Sequence, residues 1–177
     1  MKEGQYKRSD YLNKKYIILF GTVAVMVFLD FVTKAYISST MSLHESIVVI
    51  GGFFNITYVR NPGAAFSFLA DAPAVFRMVF FVTVTVFAIL LVLYYIVKSK
   101  IEEPFVIFAL SLIISGAVGN LIDRVRFGEV VDFIDVYIGP HHWPAFNVAD
   151  SVISVGAVIL ILEMFRGTKR QKDSHAS

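Results

Sequence analysis

The chain is predicted to be an α-helical membrane protein with four transmembrane helices and a small β-rich region outside the membrane. Three observations carry that expectation. Of the 177 residues, 56% are hydrophobic and 17% are charged, with a mean hydropathy of +0.69. Soluble domains run at roughly 45–50% apolar and about 25% charged. The charges also collect between four long apolar runs, residues 16–37, 74–97, 104–122 and 147–165. Each run approaches the ~20 residues needed to cross a hydrocarbon core of about 30 Å.

The basic residues agree with four spans by a separate count. Lys2, Lys7, Arg8, Lys14 and Lys15 precede the first run, Lys98 and Lys100 occupy the gap after the second, and Arg166, Lys169, Arg170 and Lys172 follow the last. Basic flanks stay on the cytoplasmic side. Residues 1–15 and 167–177 are therefore expected as cytoplasmic tails around a single domain of residues 16–166, the second tail disordered. The start of the chain imitates a signal peptide, but residues 16–37 are too long for one and carry Asp30 and Lys34. A retained first span is expected. Basic tails this short, set beside apolar spans, do not point to nucleic acid.

The third span opens on Pro104, which suits a first helical turn. The two outer connections have their own signatures. Residues 44–68 contain IVVI, a glycine pair and FFNITYV, β-branched and aromatic runs that predict a small sheet on the outer face. Residues 123–146 are aromatic-rich and end in GPHHWP, predicting a short interfacial helix or a hairpin, with Tyr137 and Trp143 at headgroup depth.

Ionisable residues in or beside spans are costly and point to function. Asp30 and Lys34 are four apart on one helix face, suiting either a structural ion pair or a proton relay. GNLIDR brings Asn120, Asp123 and Arg124 to the end of the third span, and the opposite charge favours an ionised, scaffolding Asp123. Arg124 could alternatively hold a substrate carbonyl or a lipid ester. VVDFID places Asp132 in an apolar run, with Asp135 on the same side if the stretch is helical. FNVAD places Asn147 and Asp150 at the mouth of the fourth span, where an aspartate commonly accepts hydrogen bonds from a helix N-terminus. Asn61, Pro62 and Gly63 form a turn, and its glycine and alanines would let a peptide backbone approach closely.

With the termini inside, the outer end of every span or its outer connection thus contributes a polar group: Asp30, Asn61, Asp123, Asp132, Asn147, Asp150. Two carboxylates brought together share a proton, so one can activate water while the other protonates a carbonyl. The chain has no cysteine, and no serine sits in a recognisable nucleophile turn. Hydrolysis by paired aspartates is the hydrolytic chemistry these residues best support. His141 and His142 are adjacent in a Gly-Pro loop and lack the spacing that puts two metal ligands on one helix face, so an exposed loop and no metal or other cofactor are expected. A proton-coupled transporter or channel is the alternative reading of the outer aspartates. It would need polar groups at the midplane and inner side, where the runs IILFGTVAVMV and VGAVILILEM offer little apart from Glu163. A purely structural assembly protein would not need clustered aspartates.

DFVTK, NPGAAFSF, GNLIDR, GEVVDFID and FNVADS, in that order with four spans between them, resemble the lipoprotein signal peptidases over most of the chain, from about residue 30 to 165. The resemblance implies a four-helix inner-membrane endopeptidase with an outer β-cradle, a small extramembrane helix and a metal-free aspartate dyad. It places that dyad on Asp132 and Asp150, a choice that spacing alone leaves open between these and Asp123 or Asp135. Its other functional positions fall on Asp30, Lys34, Asn61, Asn120, Asp123, Arg124 and Asn147, with Asn147 and Arg124 helping to hold substrate. The implied reaction removes the signal peptide of a prolipoprotein just before a diacylglyceryl-modified cysteine. The small residues before that cysteine would meet the wall around Gly63. The implied partners are prolipoproteins, membrane lipids and lipopeptide inhibitors such as globomycin, with the enzyme acting as a monomer.

Overall fold

Four helices and a four-stranded antiparallel sheet make up the fold. The structure, a computed structural model, describes the backbone of residues 2–63, 69, 71–98 and 103–175, and within these the side chains from residue 13 to residue 166. Ala64, Ala65, Phe66, Ser67 and Phe68 of the turn after Gly63 lie outside the described residues, as does Lys100.

The helices are α1 (Lys2–Thr40), α2 (Ala74–Lys98), α3 (Pro104–Phe127) and α4 (Val148–His175). All four are long and apolar enough to cross a membrane. α1 already runs from Lys2, and α4 continues past Arg166 to His175, where a disordered tail was expected. Neither helix contains a proline, so the change from apolar to polar residues alters the face each turn presents without ending the hydrogen-bond ladder.

Pro104 does open its helix, with Glu103 in extended geometry as the N-cap. The other end lies beyond the expected residue 122. α3 carries Asp123 and Arg124 within its last turns and stops at Gly128, whose φ of 75° and N–H bonded to the Arg124 carbonyl form a left-handed cap.

Helix α3 is the centre of the bundle. In its most apolar window 56% of residues are buried, against 11% in each other helix. Phe20, Val75, Leu90 and Met164 on the outer helices are exposed, as expected where lipid replaces protein. Glycines let α4 and α1 press close to α3. A methyl group at Gly116 would collide with the Ala149 carbonyl, and one at Gly119 would stand 2.5 Å from Asp30 Oδ2. This small-residue packing is characteristic of membrane helices. At one end Leu19, Ile96, Leu110 and Ile114 form an apolar core.

The sheet caps the opposite end, in the order β1 (Ser46–Ile50), β2 (Phe54–Asn61), β3 (Val130–Ile138), β4 (His141–His142). Residues 123–146 therefore finish a helix and form a β-hairpin. Among the described residues this connection contains no short interfacial helix, because the β-branched run of VVDFIDVYI favours pairing with β2. That pairing is antiparallel and sets Val59 opposite Asp132, and Asn61 opposite Val130. Ile37 of α1 and Met41 just beyond its end pack with Tyr58, Val131 and Phe133, tying the sheet to the bundle.

Candidate active site

Asp30, Lys34, Asn61, Asn120, Asp123, Arg124, Asp132, Asn147 and Asp150 lie where the ends of α1 and α3, the start of α4 and the sheet converge. A buried ion cluster forms the floor. Lys34, 4% exposed, lies 2.8 Å from Asp30 Oδ2 and 3.0 Å from Asp123 Oδ2. It also donates to Asn120 Oδ1 at 3.0 Å. Asp30 Oδ1 accepts from the Ala149 N–H at 2.8 Å, in the first turn of α4. Asp123 Oδ2 accepts from the Val131 N–H at 3.2 Å. One cation thus ties together three helices and β3.

Asp123 pairs with Lys34, while the neighbouring Arg124 takes separate partners. The Arg124 Nη2 donates to the Gly63 carbonyl at 3.4 Å, and its guanidinium lies 4.9 Å from the centre of the Phe81 ring on α2. Arg124 thereby connects three elements at the rim of the cleft.

Above this floor, three asparagines hold two aspartates. Asn147 is the N-cap of α4. Its Oδ1 accepts from the Asp150 N–H at 2.9 Å, and Asp150 Oδ2 accepts from the Asn147 N–H at 3.3 Å. These reciprocal bonds form a capping box. The fully buried Asn147 also donates through Nδ2 to Asp132 Oδ1 at 2.7 Å. Asn61 Nδ2 donates to Asp132 Oδ2 at 3.0 Å, and its Oδ1 accepts from the Gly63 N–H at 3.0 Å, which shapes the turn. Asn120 Nδ2 donates to Asp150 Oδ1 at 2.8 Å, so Asn120 touches both the ion cluster and the aspartates.

Asp132 and Asp150 border one cleft of about 640 Å³ with Asn61, Asn120, Arg124 and Trp143. The cleft continues along α4 past Ile153 and Ser154. Among the described residues no Lys, Arg or His forms an ion pair with either aspartate. Burial pushes the Asp132 carboxyl up to about 7, and the charge of Asp150 adds to this while the amides of Asn61 and Asn147 oppose it. A carboxyl that exchanges its proton near neutral pH is suited to acid–base chemistry.

Asp135 lies elsewhere. It is on a strand, opposite Asn55. Its Oδ2 accepts from Asn55 Nδ2 at 2.8 Å, and its Oδ1 lies 2.8 Å from His142 Nδ1. The histidine pair is accordingly the edge strand β4 rather than a free loop, with the His142 ring stacked 4.7 Å from that of Tyr137. No group of three metal-ligating side chains occurs among the described residues. The strap Trp143–Pro144–Ala145 at the mouth of the cleft was not anticipated as part of the site. From the sequence, Trp143 was expected only at headgroup depth.

The family described as signal peptidase (SPase) II matches residues 22–166. A lipoprotein signal peptidase of Syntrophus aciditrophicus (strain SB) is 52% identical over 159 residues, 89% of this chain and 99% of that protein. One from Geobacter sulfurreducens (strain ATCC 51573 / DSM 12127 / PCA) is 50% identical over 156 residues, 88% of this chain and 96% of the relative. A solved bacterial membrane enzyme superposes with a TM-score of 0.78 at 38% identity, covering 86% of this chain and 90% of its own. With the fold, the family match and relatives aligned along nearly their whole length in agreement, the chain belongs to the signal peptidase II family.

Proposed function

We propose that this protein is a membrane aspartic endopeptidase that removes the signal peptide from diacylglyceryl-modified prolipoproteins, with Asp132 and Asp150 as its catalytic dyad. The observation that carries the dyad is that both carboxylates border one cleft and are held by neutral amides rather than paired to a cation. Asp132 retains a proton and gives it to the scissile carbonyl oxygen, while Asp150 takes a proton from the attacking water. The tetrahedral diol then collapses, and the amine of the lipidated cysteine leaves with a proton returned by the dyad. The other polar groups orient this pair: Asn61, Asn120 and Asn147 directly, and Asp30, Lys34 and Asp123 through the floor.

The beginning of α1, with Lys14 and Lys15, the end of α2 with Lys98, and Arg166 on α4 fall at the end of the bundle away from the sheet. The basic flanks support both termini in the cytoplasm and the cleft at the outer leaflet. There the diacylglyceryl chains can stay in lipid along the exposed side of α4 while the glyceryl group sits beside the dyad. Arg124 and the turn at Gly63 would hold the peptide backbone. A lipopeptide such as globomycin would compete for this cleft, and a monomer suffices because one chain supplies every group invoked.

The test is a gel-shift cleavage assay on a diacylglyceryl-modified prolipoprotein. Asp132→Asn and Asp150→Asn should each slow cleavage by roughly 10²–10⁴-fold, the range of general acid–base contributions, while unfolding cooperatively in detergent like wild type. Normal turnover by either folded variant would remove that residue from the dyad.

A further inference from the structure

In an undisturbed strand, residues three apart face opposite sides of the sheet. Asp132 and Asp135 nevertheless border one cleft of about 520 Å³ over the sheet, together with His142 and the strap Trp143–Pro144–Ala145. A β-bulge explains this. The N–H groups of Phe133 and Ile134 both donate to the Phe146 carbonyl, at 3.0 and 2.8 Å, so two residues of β3 stand opposite one. Phe133 and Ile134 both pack toward the apolar core between sheet and bundle, which leaves the two aspartates on the other face.

The strap is held at both ends. At its far end the Phe146 N–H donates to the Ile134 carbonyl at 3.0 Å, and the next residue is Asn147, which holds Asp132. At its near end the Trp143 N–H donates to the Val136 carbonyl at 2.8 Å. Between these anchors Pro144 and Ala145 make no backbone bond to β3 among the described residues. The near end has a side-chain tie as well. His142 Nδ1 lies 2.8 Å from Asp135 Oδ1, with the imidazole half exposed and the carboxylate largely buried. A carboxylate facing Nδ1 fixes the ring proton there, so His142 donates. The ring lies flat against Tyr137, 7° between their planes, and the Tyr137 hydroxyl accepts from the Gly52 N–H at 3.0 Å. Asp135 is held from β2 by Asn55.

We propose that Asp135 and His142 are positioning residues for the cleavage reaction. Their hydrogen bond holds the strap as a fixed wall of the two clefts that meet at Asp132. This proposal rests on the peptidase reading above and adds two residues to it. Because the bulge and Asn147 anchor Asp132 separately, the pair acts on substrate binding rather than on the chemical step.

The experiment compares purified wild type with His142→Ala, His142→Asn and Asp135→Ala on one diacylglyceryl-modified prolipoprotein. His142→Ala should raise KM by roughly three- to fivefold, the scale of one partly exposed charged hydrogen bond, with kcat within about twofold of wild type. Asparagine keeps a donor N–H near the position of Nδ1, so His142→Asn should restore most of the KM. Asp135→Ala should match His142→Ala, and the double variant should be no worse than either, because each removes the same bond. Asp135→Ala also strands the buried Asn55 amide, so the exposed His142 variants decide the outcome if it fails to fold. Trp143 is the only tryptophan of the chain, so its fluorescence anisotropy in detergent reports on the strap without substrate. That anisotropy should decay faster in His142→Ala than in wild type or His142→Asn.

An unchanged KM in folded His142→Ala would overturn the proposal, as would a loss confined to kcat or a His142→Asn variant no better than alanine. Unchanged Trp143 anisotropy would overturn the strap as the element held. Failure of wild type to cut the substrate would instead reject the peptidase reading, with the anisotropy still deciding whether the pair holds the strap.

Discussion

The floor and the cleft each contain two carboxylates, and Asn120 joins them. They differ in one particular. In the floor Lys34 lies within 3.0 Å of both Asp30 and Asp123, so the charges are compensated. In the cleft Asp132 and Asp150 receive only amide hydrogen bonds, and burial pushes the Asp132 carboxyl up to about 7. On the proposed dyad, carboxylates at one depth in one protein serve as scaffold where a cation pairs with them directly and as acid–base groups where none does.

The strongest way to break that comparison is to remove the cation. Lys34→Met leaves two buried carboxylates uncompensated and should destabilise the fold by about 3–5 kcal/mol, seen as a lower unfolding temperature in detergent. Asp132→Asn should have a much smaller effect on stability. Equal losses for the two would mean that the floor and the cleft are energetically alike.

A pH titration sharpens it further. With Asp132 as the proton donor, kcat should fall by about tenfold per pH unit above pH 7, since each unit removes a further nine-tenths of the protonated form. The stability linkage has the same sense. A carboxyl raised from 3.8 to about 7 on folding binds its proton more tightly in the native state. Its contribution is complete below pH 4 and is lost as pH rises through 7. The unfolding temperature of Asp132→Asn relative to wild type should therefore rise between pH 4 and pH 8. A pH-independent difference would contradict the raised value.

Smaller effects test the packing between the two regions. Gly119→Ala forces a methyl group against Asp30 Oδ2 and should cost about 1–3 kcal/mol as overpacking. It should also lower kcat, since Asp30 accepts from the first turn of α4. The Glu163–Arg166 pair at the other end of the bundle, with Arg166 65% exposed, is the control. Glu163→Gln should change stability by no more than about 0.5 kcal/mol and leave cleavage unaltered. A large loss of activity there would revive a path through the inner half of the bundle.

These contrasts also explain what could be read from the residues alone. The spans were legible because apolar length is a local property, and Asp30, Lys34, Asn120 and Asp123 stood out because polar and charged side chains among apolar residues are rare. The ends of the helices were less legible: the charged pair at 123–124 looked like an exit from the membrane, whereas the signal that mattered was Gly128 one turn later. The run at 130–138 carried the β-branched residues of a strand, but its partner lies some seventy positions earlier in the chain, as in Asn61↔Val130, and no local pattern specifies such a pairing. For the same reason the choice of dyad needed the family resemblance. Asp123 and Asp135 differ from Asp132 and Asp150 only in partners that arrive from distant segments, Lys34 for one and Asn55 with His142 for the other.

The capping box of α4 has a consequence for biogenesis. The same Asn147 and Asp150 that start the helix also build the cleft. The winding of the last span and the assembly of the cleft are therefore one event. A chain still emerging into the bilayer, with its fourth segment uninserted, has neither Asp150 positioned nor Asp132 anchored by Asn147. On the proposed dyad, competence to cut would therefore arise only once the fourth span has wound and brought Asn147 to Asp132.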